Sequence, residues 1–593
     1  MMHTIRRLRP YASPYRRALA VGGVLTLAEV GLSLAQPWPL RWVVDKVLQP
    51  AQPATHPQLI LAFSAITLVV LVLLAGFADY WATRLLSAAG LHVANDLRLS
   101  VLARLQRQSL RFHGKHRVGD LTTRVTSDVA YTQDMLVQVL ATLLPATALV
   151  IGMFVVMVAL DPVFTVLALL STPPLIWATR RARKELRSAA RRVRKADGAL
   201  ASAATEDLSA IHLVQVFGLE HERLRHFAGL SETSLTAGVE SVRVQSQFGP
   251  LVEVASVFST AAVLWFGAER VLSGHLSLGV LLVFITYLGS LYKPVKQLTK
   301  LSQVVSKGAA ALERIGEVMD APVDIVDVPG AVALPIRGQV EFRNVSFSYK
   351  AGQSVLQDFN LTVRAGETIA LVGPTGGGKT TIVGLACRFY EPTTGQILIN
   401  GVDYRQRSLK WLQGNLGMVL QQPYLFSGTV RENIRYGRLD ATDAQVEEAA
   451  RMTNAHEFIT QLEKGYDTPV GEGGNKLSTG QKQLIALARA IIADPQIFVM
   501  DEATSSVDTH TERAIQTAVE RVLDNRISFV IAHRLSTIKS ADRILVIDSG
   551  RIVEEGSHHD LLALRGRYHE LYTNQFTHER EDEMLHYATT SEG

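Results

Sequence analysis

The run Thr368-Ile369-Ala370-Leu371-Val372-Gly373-Pro374-Thr375-Gly376-Gly377-Gly378-Lys379-Thr380-Thr381 decides how the C-terminal half of the chain is read. Its first five residues form a short apolar stretch of the kind that makes a buried strand. The octapeptide Gly373–Thr380 follows without a gap and fits the P-loop pattern of strand, glycine-rich turn and helix. The glycines let backbone N–H groups turn inward around the β- and γ-phosphates of a nucleotide. Lys379 adds a point charge, and the Thr380 hydroxyl is suited to Mg²⁺. Pro374, Thr375 and Thr381 complete the candidate cradle. A second apolar run, Ile497-Phe498-Val499-Met500, ends in Asp501-Glu502. An acid at a strand's carboxyl end, beside a phosphate loop, can hold Mg²⁺ through water, which assigns Asp501. Glu502 is then placed to orient or deprotonate an attacking water.

Working outward, the chain has 593 residues, 47% of them hydrophobic and only 19% charged, with a mean hydropathy of +0.15. That balance puts part of the chain in lipid. The net charge of +5 is small for this length and does not point to nucleic acid. The single cysteine, Cys387, excludes an intrachain disulfide or a cysteine metal cluster.

Residues 1 to about 310 carry long uncharged runs, and residues from about 335 onward read as a soluble α/β domain. Leu59–Phe77 is the clearest span, and Met135–Leu160 is longer still. Val163–Thr179 and Leu276–Tyr292 are shorter; Ala18–Leu40 and Pro250–Ala268 each hold one acid. Six spans are therefore expected. Basic residues cluster before the first span and at 180–195, whereas the 45–58, 161–162 and 269–275 connections hold only Lys46 and Arg270. The positive-inside rule then puts the N-terminus, the 80–134 and 180–247 connections and the C-terminal domain in the cytoplasm. A cleaved signal peptide ending at Ser33-Leu34-Ala35 is the rival at the N-terminus. Glu29 and the continuation through Trp38 and Trp42 argue against it. The expected division is a cytoplasmic amphipathic lead-in at 1–17, a transmembrane domain at 18–310, and a proline-bearing linker at 311–338. A nucleotide-binding domain follows at 339–575, with a polar tail at 576–593 that reads as disordered.

With these residues in hand the chain resembles an ATP-binding cassette protein. Leu477-Ser478-Thr479-Gly480-Gln481 is similar to the family signature. Ser478 can cap the helix that opens there, so that the helix dipole points at a phosphate. The resemblance implies that this phosphate belongs to ATP held by a partner's P-loop. It also implies that Gln421 is the Q-loop glutamine touching Mg²⁺, and that His533 contacts the γ-phosphate. Ser505-Ser506-Val507-Asp508 then corresponds to the D-loop, and Tyr349 stacks on adenine. In the first half, Gly119–Arg124 followed by Asp128 resembles the first intracellular loop of the exporter subfamily. Glu206–Glu220 resembles the second. Such loops carry short helices that dock on cassettes, and Thr468–Gly473 resembles the loop that meets them.

The fold class implied is an α-helical six-span transmembrane domain of exporter type fused to an α/β P-loop nucleotide-binding domain. The function implied is that of an exporter half-transporter, driven by ATP with Mg²⁺, working in a lipid bilayer of the bacterial cytoplasmic membrane as a dimer. Its cargo would be a small amphipathic compound, lipid or peptide. Gly377 stands where the family usually has serine, Val507 replaces a leucine, and Thr479 replaces a glycine in the signature. The last substitution keeps a heterodimer open, although a homodimer is favoured because every catalytic residue is present. A soluble cassette acting on ribosomes or DNA is excluded by the spans. An ATP-gated channel or receptor, or an importer of metal chelates, remains as an alternative. Two acids inside spans, Glu29 and Glu253, are candidate substrate contacts, since a carboxylate at mid-membrane costs about 2.5–3.5 kcal/mol on insertion scales.

Overall fold

The computed structural model describes residues 2–49, 56–170, 172–336, 338–350, 352–501, 509–532 and 534–575. The chain divides into two compact units, one of residues 1–105 and 119–321, the other of residues 106–118 and 322–593.

The first unit is helical. α1 (Met2–Ala12) and α2 (Arg16–Ala35) precede a break at Gln36-Pro37, after which α3 (Trp38–Val43) runs into one π-helical turn. Proline cannot donate its nitrogen to the α2 ladder, which ends the helix there. The buried Tyr287 hydroxyl donates to the Leu34 carbonyl, 2.5 Å away, beside that break. α4 (Pro57–Gln106) is one uninterrupted helix of 50 residues, about 75 Å long at about 1.5 Å per residue. After α5 (Leu110–Lys115) come α6 (Val118–Thr123), α7 (Val129–Gln138) and α8 (Leu144–Leu160), joined through π-helical turns into one rod. α9 (Pro162–Leu170), α10 (Thr172–Ser209), α11 (Ile211–Val216), α12 (Glu220–Leu272) and α13 (Leu278–Asp320) complete the unit. α13 takes in residues 311–320 of the stretch read as a linker, because Ala311, Leu312, Ile315 and Val318 are buried at helical spacing.

Among the described residues, Arg7–Leu48, Pro57–Gln106 and Val118–Leu160 are long and apolar enough to cross a bilayer, and Leu278–Ser290 is a shorter apolar stretch. The expected span at 163–179 crosses residue 171, outside the described residues; that at 250–268 lies in α12, and that at 276–292 lies in α13 from Leu278 onward. The apolar faces are turned outward: Leu59, Phe63, Ile66, Leu73 and Phe77 of α4 are all exposed. A face of this size is unstable in water and suits hydrocarbon. The packed face uses small residues where helices cross. A Cβ on Gly90 would lie 2.3 Å from Val137 Cγ2, and one on Gly152 would lie 2.4 Å from Leu34 Cδ1.

The second unit has two sheets. β1 (Gln339–Lys350), β2 (Gln353–Arg364), β4 (Thr394–Ile399) and β5 (Val402–Asp403) form an antiparallel sheet in the order β2-β1-β4-β5. β3 (Thr368–Val372), β6 (Leu416–Val419), β7 (Ile497–Asp501), β8 (Ile527–Ile531), β9 (Arg543–Asp548) and β10 (Arg551–Gly556) form the other, in the order β10-β9-β3-β8-β7-β6. All its pairings are parallel except β10 with β9. β3 is buried on both faces: Ile369 and Leu371 join the core toward the antiparallel sheet, while Ala370 and Val372 join the helical core. A continuous apolar run is the signature of such a covered parallel strand. The helices are α14 (Lys379–Ala386), α15 (Leu409–Gly414), α16 (Val430–Arg435), α17 (Asp443–Met452), α18 (His456–Gln461), α19 (Thr479–Ile492), α20 (Thr509–Leu523), α21 (Leu535–Ser540), α22 (His558–Leu564) and α23 (Arg567–Gln575).

Candidate functional site

β3 delivers the chain into the glycine loop and α14 carries it away, as the strand–loop–helix reading requires. Gly373 has φ +145° and Gly378, which caps α14, has φ +109°. A side chain at Gly373 would meet the Ile547 carbonyl at 2.1 Å, so the loop lies directly on β9. Gly377 is also close, its Cβ position being 2.9 Å from the same carbonyl oxygen. Thr375, Gly376 and Thr380 are exposed, whereas Lys379 is buried. The Lys379 ammonium donates to the carbonyls of Gly373 at 2.7 Å and Pro374 at 2.9 Å. Burial holds its pKa below the usual lysine range, and the Asp501 carboxylate pulls the other way.

Strand order assembles the rest at one edge. β3 pairs with β8, and β8 with β7, Asp501 standing opposite Ile531 in register. The P-loop, Asp501 and the end of β8 therefore share the carboxyl edge of a parallel sheet, where α/β folds bind ligands. Gln421, two residues beyond β6, is exposed on the same edge. Glu502, Asp508 and His533 lie outside the described residues.

Tyr349 joins the site from the other sheet. Its hydroxyl is 3.0 Å from that of Thr381 on α14, and its ring meets those of Phe347 and Tyr390 edge-on, at 4.9 and 5.2 Å. About a third of its surface stays open. Thr381 is buried and engaged by this tyrosine, a pairing that the sequence pattern did not disclose.

The signature folds as a helix N-terminus. Ser478 Oγ accepts from the Gln481 backbone at 3.3 Å, and Gln481 Oε1 accepts from the Ser478 backbone at 3.0 Å. This capping box leaves Ser478 and Thr479 exposed at the positive end of α19, with Gly480 buried beneath. Among the described residues, no hydrogen bond or ion pair joins Leu477–Gln481 to the 373–381 loop. Arg489, further along α19, donates to the carbonyls of Asn433 (2.9 Å) and Tyr424 (3.1 Å), fixing the segment after Gln421 to the signature helix.

In the first unit, Glu29 is half-buried on α2 and accepts from Ser33 Oγ at 3.2 Å, one turn along the same helix. Glu253 is exposed on α12. The Gly119–Asp128 segment, which resembles the first intracellular loop, is helical, comprising α6 and the π-helical turn Arg124–Asp128. Asp128, fully buried, binds Arg314 of α13, and Arg124 reaches Glu317 at 3.2 Å. These pairs weld 119–128 to α13. The separate short helix is α5, eight residues earlier, and it belongs to the second unit. The second loop does hold a short helix, α11, with Leu208, Leu213, Val216 and Phe217 exposed around it.

Residues 19–295 match the description "ABC transporter transmembrane region", and residues 356–505 match "ABC transporter". The chain is 37% identical to an ATP-dependent lipid A-core flippase of Syntrophus aciditrophicus, over 98% of this chain and 96% of that one. The chain belongs to the ABC transporter family. This transporter is also 36% identical to a fatty acid ABC transporter ATP-binding/permease protein of Mycobacterium bovis, over 85% of its own length and 80% of the relative's. It superimposes on a bacterial Atm1-family ABC exporter with ATP bound at a TM-score of 0.80 and 31% identity, covering 94% of this chain and 98% of that one. It is thus an integral membrane protein with an exporter-type transmembrane domain, coupling ATP hydrolysis to export. Half-transporters of this kind generally pair and sit in the bilayer.

Proposed function

We propose that two copies of this exporter pair, with six spans each and the nucleotide units in the cytoplasm, to move an acyl-bearing amphiphile outward across the bacterial inner membrane. The observation that carries the pairing is the capped, exposed N-terminus of α19, which among the described residues is bonded to no phosphate loop of its own chain. A helix N-terminus aimed at solvent is half of an anion site, and a second copy's 373–381 loop would supply the other half. The cargo reading rests on relatives named for a lipid A-core and for fatty acid.

Within each site, Thr380, Asp501 and Gln421 are the residues that would hold Mg²⁺. Their donors are a hydroxyl, a carboxylate and an amide oxygen, a hard set suited to a cation that keeps few protein ligands. The ion would neutralise phosphate charge. Lys379 exchanges its carbonyl partners for phosphate oxygens, Tyr349 offers its open face to the base, and Glu502 accepts a proton from the attacking water. By the family resemblance, His533 would contact the γ-phosphate and Asp508 would serve as the D-loop acid. Closure of the pair turns the cavity outward, and product release resets it. Glu29, with Glu253 nearer the boundary, would favour cargo carrying a positive group.

ATPase activity of the purified chain reconstituted alone in liposomes tests this reading. Turnover by the single chain, stimulated by acyl-bearing amphiphiles, is expected. Nucleotide binding with no turnover unless a different half-transporter is added would overturn the homodimer.

A further inference from the structure

The end of β1 that carries Tyr349 is irregular. Phe347 stands opposite Leu356, Ser348 opposite Ser354 and Lys350 opposite Gln353, with a register break at each step. A strand whose ladder is interrupted does not fix the direction of its last side chains. Other groups hold it here. The Tyr349 hydroxyl meets Thr381. The preceding carbonyl, that of Ser348, accepts from Arg111 Nη2 at 2.8 Å, and the same guanidinium lies 5.8 Å from the centroid of the Phe347 ring.

Arg111 is on α5, and α5 is itself anchored. Ser109 caps it, accepting from the Phe112 backbone at 3.4 Å, and donates its hydroxyl to Asp324 at 2.8 Å. A cavity of about 230 Å³, lined by Ser109, Arg111, Asp324, Phe347, Tyr390 and Glu391 among others, adjoins the ring cluster. It leaves Phe347 and Tyr390, and with them Tyr349, a direction in which to yield when the guanidinium is removed.

We propose that Arg111 is a positioning residue for the nucleotide base: it fixes the bulged end of β1 and so sets the angle at which Tyr349 meets the base. The inference rests on Tyr349 being the base-stacking residue. Because Arg111 acts through the ring and not through the phosphates, its contribution depends on the presence of a base.

The test is a double-mutant cycle on the full-length reconstituted chain, with melting temperature followed alongside. Arg111→Ala is expected to raise KM for ATP about five- to tenfold while changing kcat less than about twofold. Arg111→Lys should recover most of the loss. Arg111→Ala combined with Tyr349→Ala should be no worse than Tyr349→Ala alone. Inorganic tripolyphosphate, which has phosphates and no base, should inhibit the wild type and Arg111→Ala equally. If Tyr349→Ala leaves KM for ATP unchanged, the base-stacking reading fails, and this inference with it. If Tyr349→Ala weakens ATP but the two losses multiply, or Arg111→Ala weakens tripolyphosphate as much as ATP, the inference about Arg111 fails and base stacking stands.

Discussion

Lys379 is bonded to Gly373, six residues back, its ammonium 2.7 Å from the glycine carbonyl oxygen. The phosphate-binding charge is thus held inside its own loop, and nucleotide must exchange two carbonyls for phosphate oxygens. Because the exchange is between charged hydrogen bonds, the net gain is smaller than the bonds themselves. Removing the charge altogether is more costly. Lys379→Ala is expected to weaken ATP binding roughly 10- to 100-fold, at about 1.5–3 kcal/mol for a charge-assisted bond. Equilibrium binding of a fluorescent ATP analogue measures it, and an unchanged Kd would remove Lys379 from the site.

The burial of Lys379 also gives a pH dependence. Its folded pKa is depressed, so in the window between that value and the ordinary lysine value the folded chain sheds a proton that the unfolded chain keeps. Stability of the nucleotide-free protein therefore rises with pH across this alkaline window. Nucleotide affinity should fall across the same window, because phosphate favours the charged lysine. Lys379→Arg, which stays charged, should flatten the affinity profile. A wild-type Kd that is constant through the window would count against the buried cation.

Ser478 has two separable duties. Its hydroxyl caps α19 in the box with Gln481, and it faces the partner's phosphates under the proposed pairing. Ser478→Ala should cost about 1 kcal/mol of stability and abolish hydrolysis. Ser478→Asp restores a good cap but sets a carboxylate against phosphate, so melting temperature should recover while ATPase does not. Recovery of both would reduce Ser478 to a cap.

Asp128 and Arg314 should respond unequally to substitution. The carboxylate is fully buried, whereas 43% of the arginine side chain is exposed. Arg314→Ala strands a buried charge and should destabilise by about 3 kcal/mol or more, within the range for broken buried pairs. Asp128→Asn leaves an arginine that water can solvate, and should cost about 1–2 kcal/mol. Chemical unfolding in detergent compares them, and equal losses would contradict this asymmetry.

What could be read from the chain followed the range of the interactions. The P-loop, Asp501 and the Ser478 cap are local: glycine geometry, a strand's end and a helix's first turn are written in consecutive residues. Gln481 as the reciprocal partner of Ser478 was also within local reach, as serine followed by glutamine three residues on. The Thr381–Tyr349 bond was not, because it joins helix α14 to strand β1 across 32 positions. The segment at 119–128 was legible as an intracellular loop of the kind that carries a short helix. Its tie to α13 through Asp128–Arg314, separated by 186 positions, was not. Arg111 carries no signal of its own, since its role depends on a register break in β1 more than 200 residues away.

Export itself is tested by vectorial transport in inside-out membrane vesicles loaded by the chain alone, using a fluorescent acyl-bearing amphiphile. ATP should drive accumulation against a gradient. The accumulation should vanish in Glu502→Gln although nucleotide binding persists, because that change removes only water activation. A flux that equilibrates without accumulating, or one that survives in Glu502→Gln, would mean that the chain gates or leaks and does not pump.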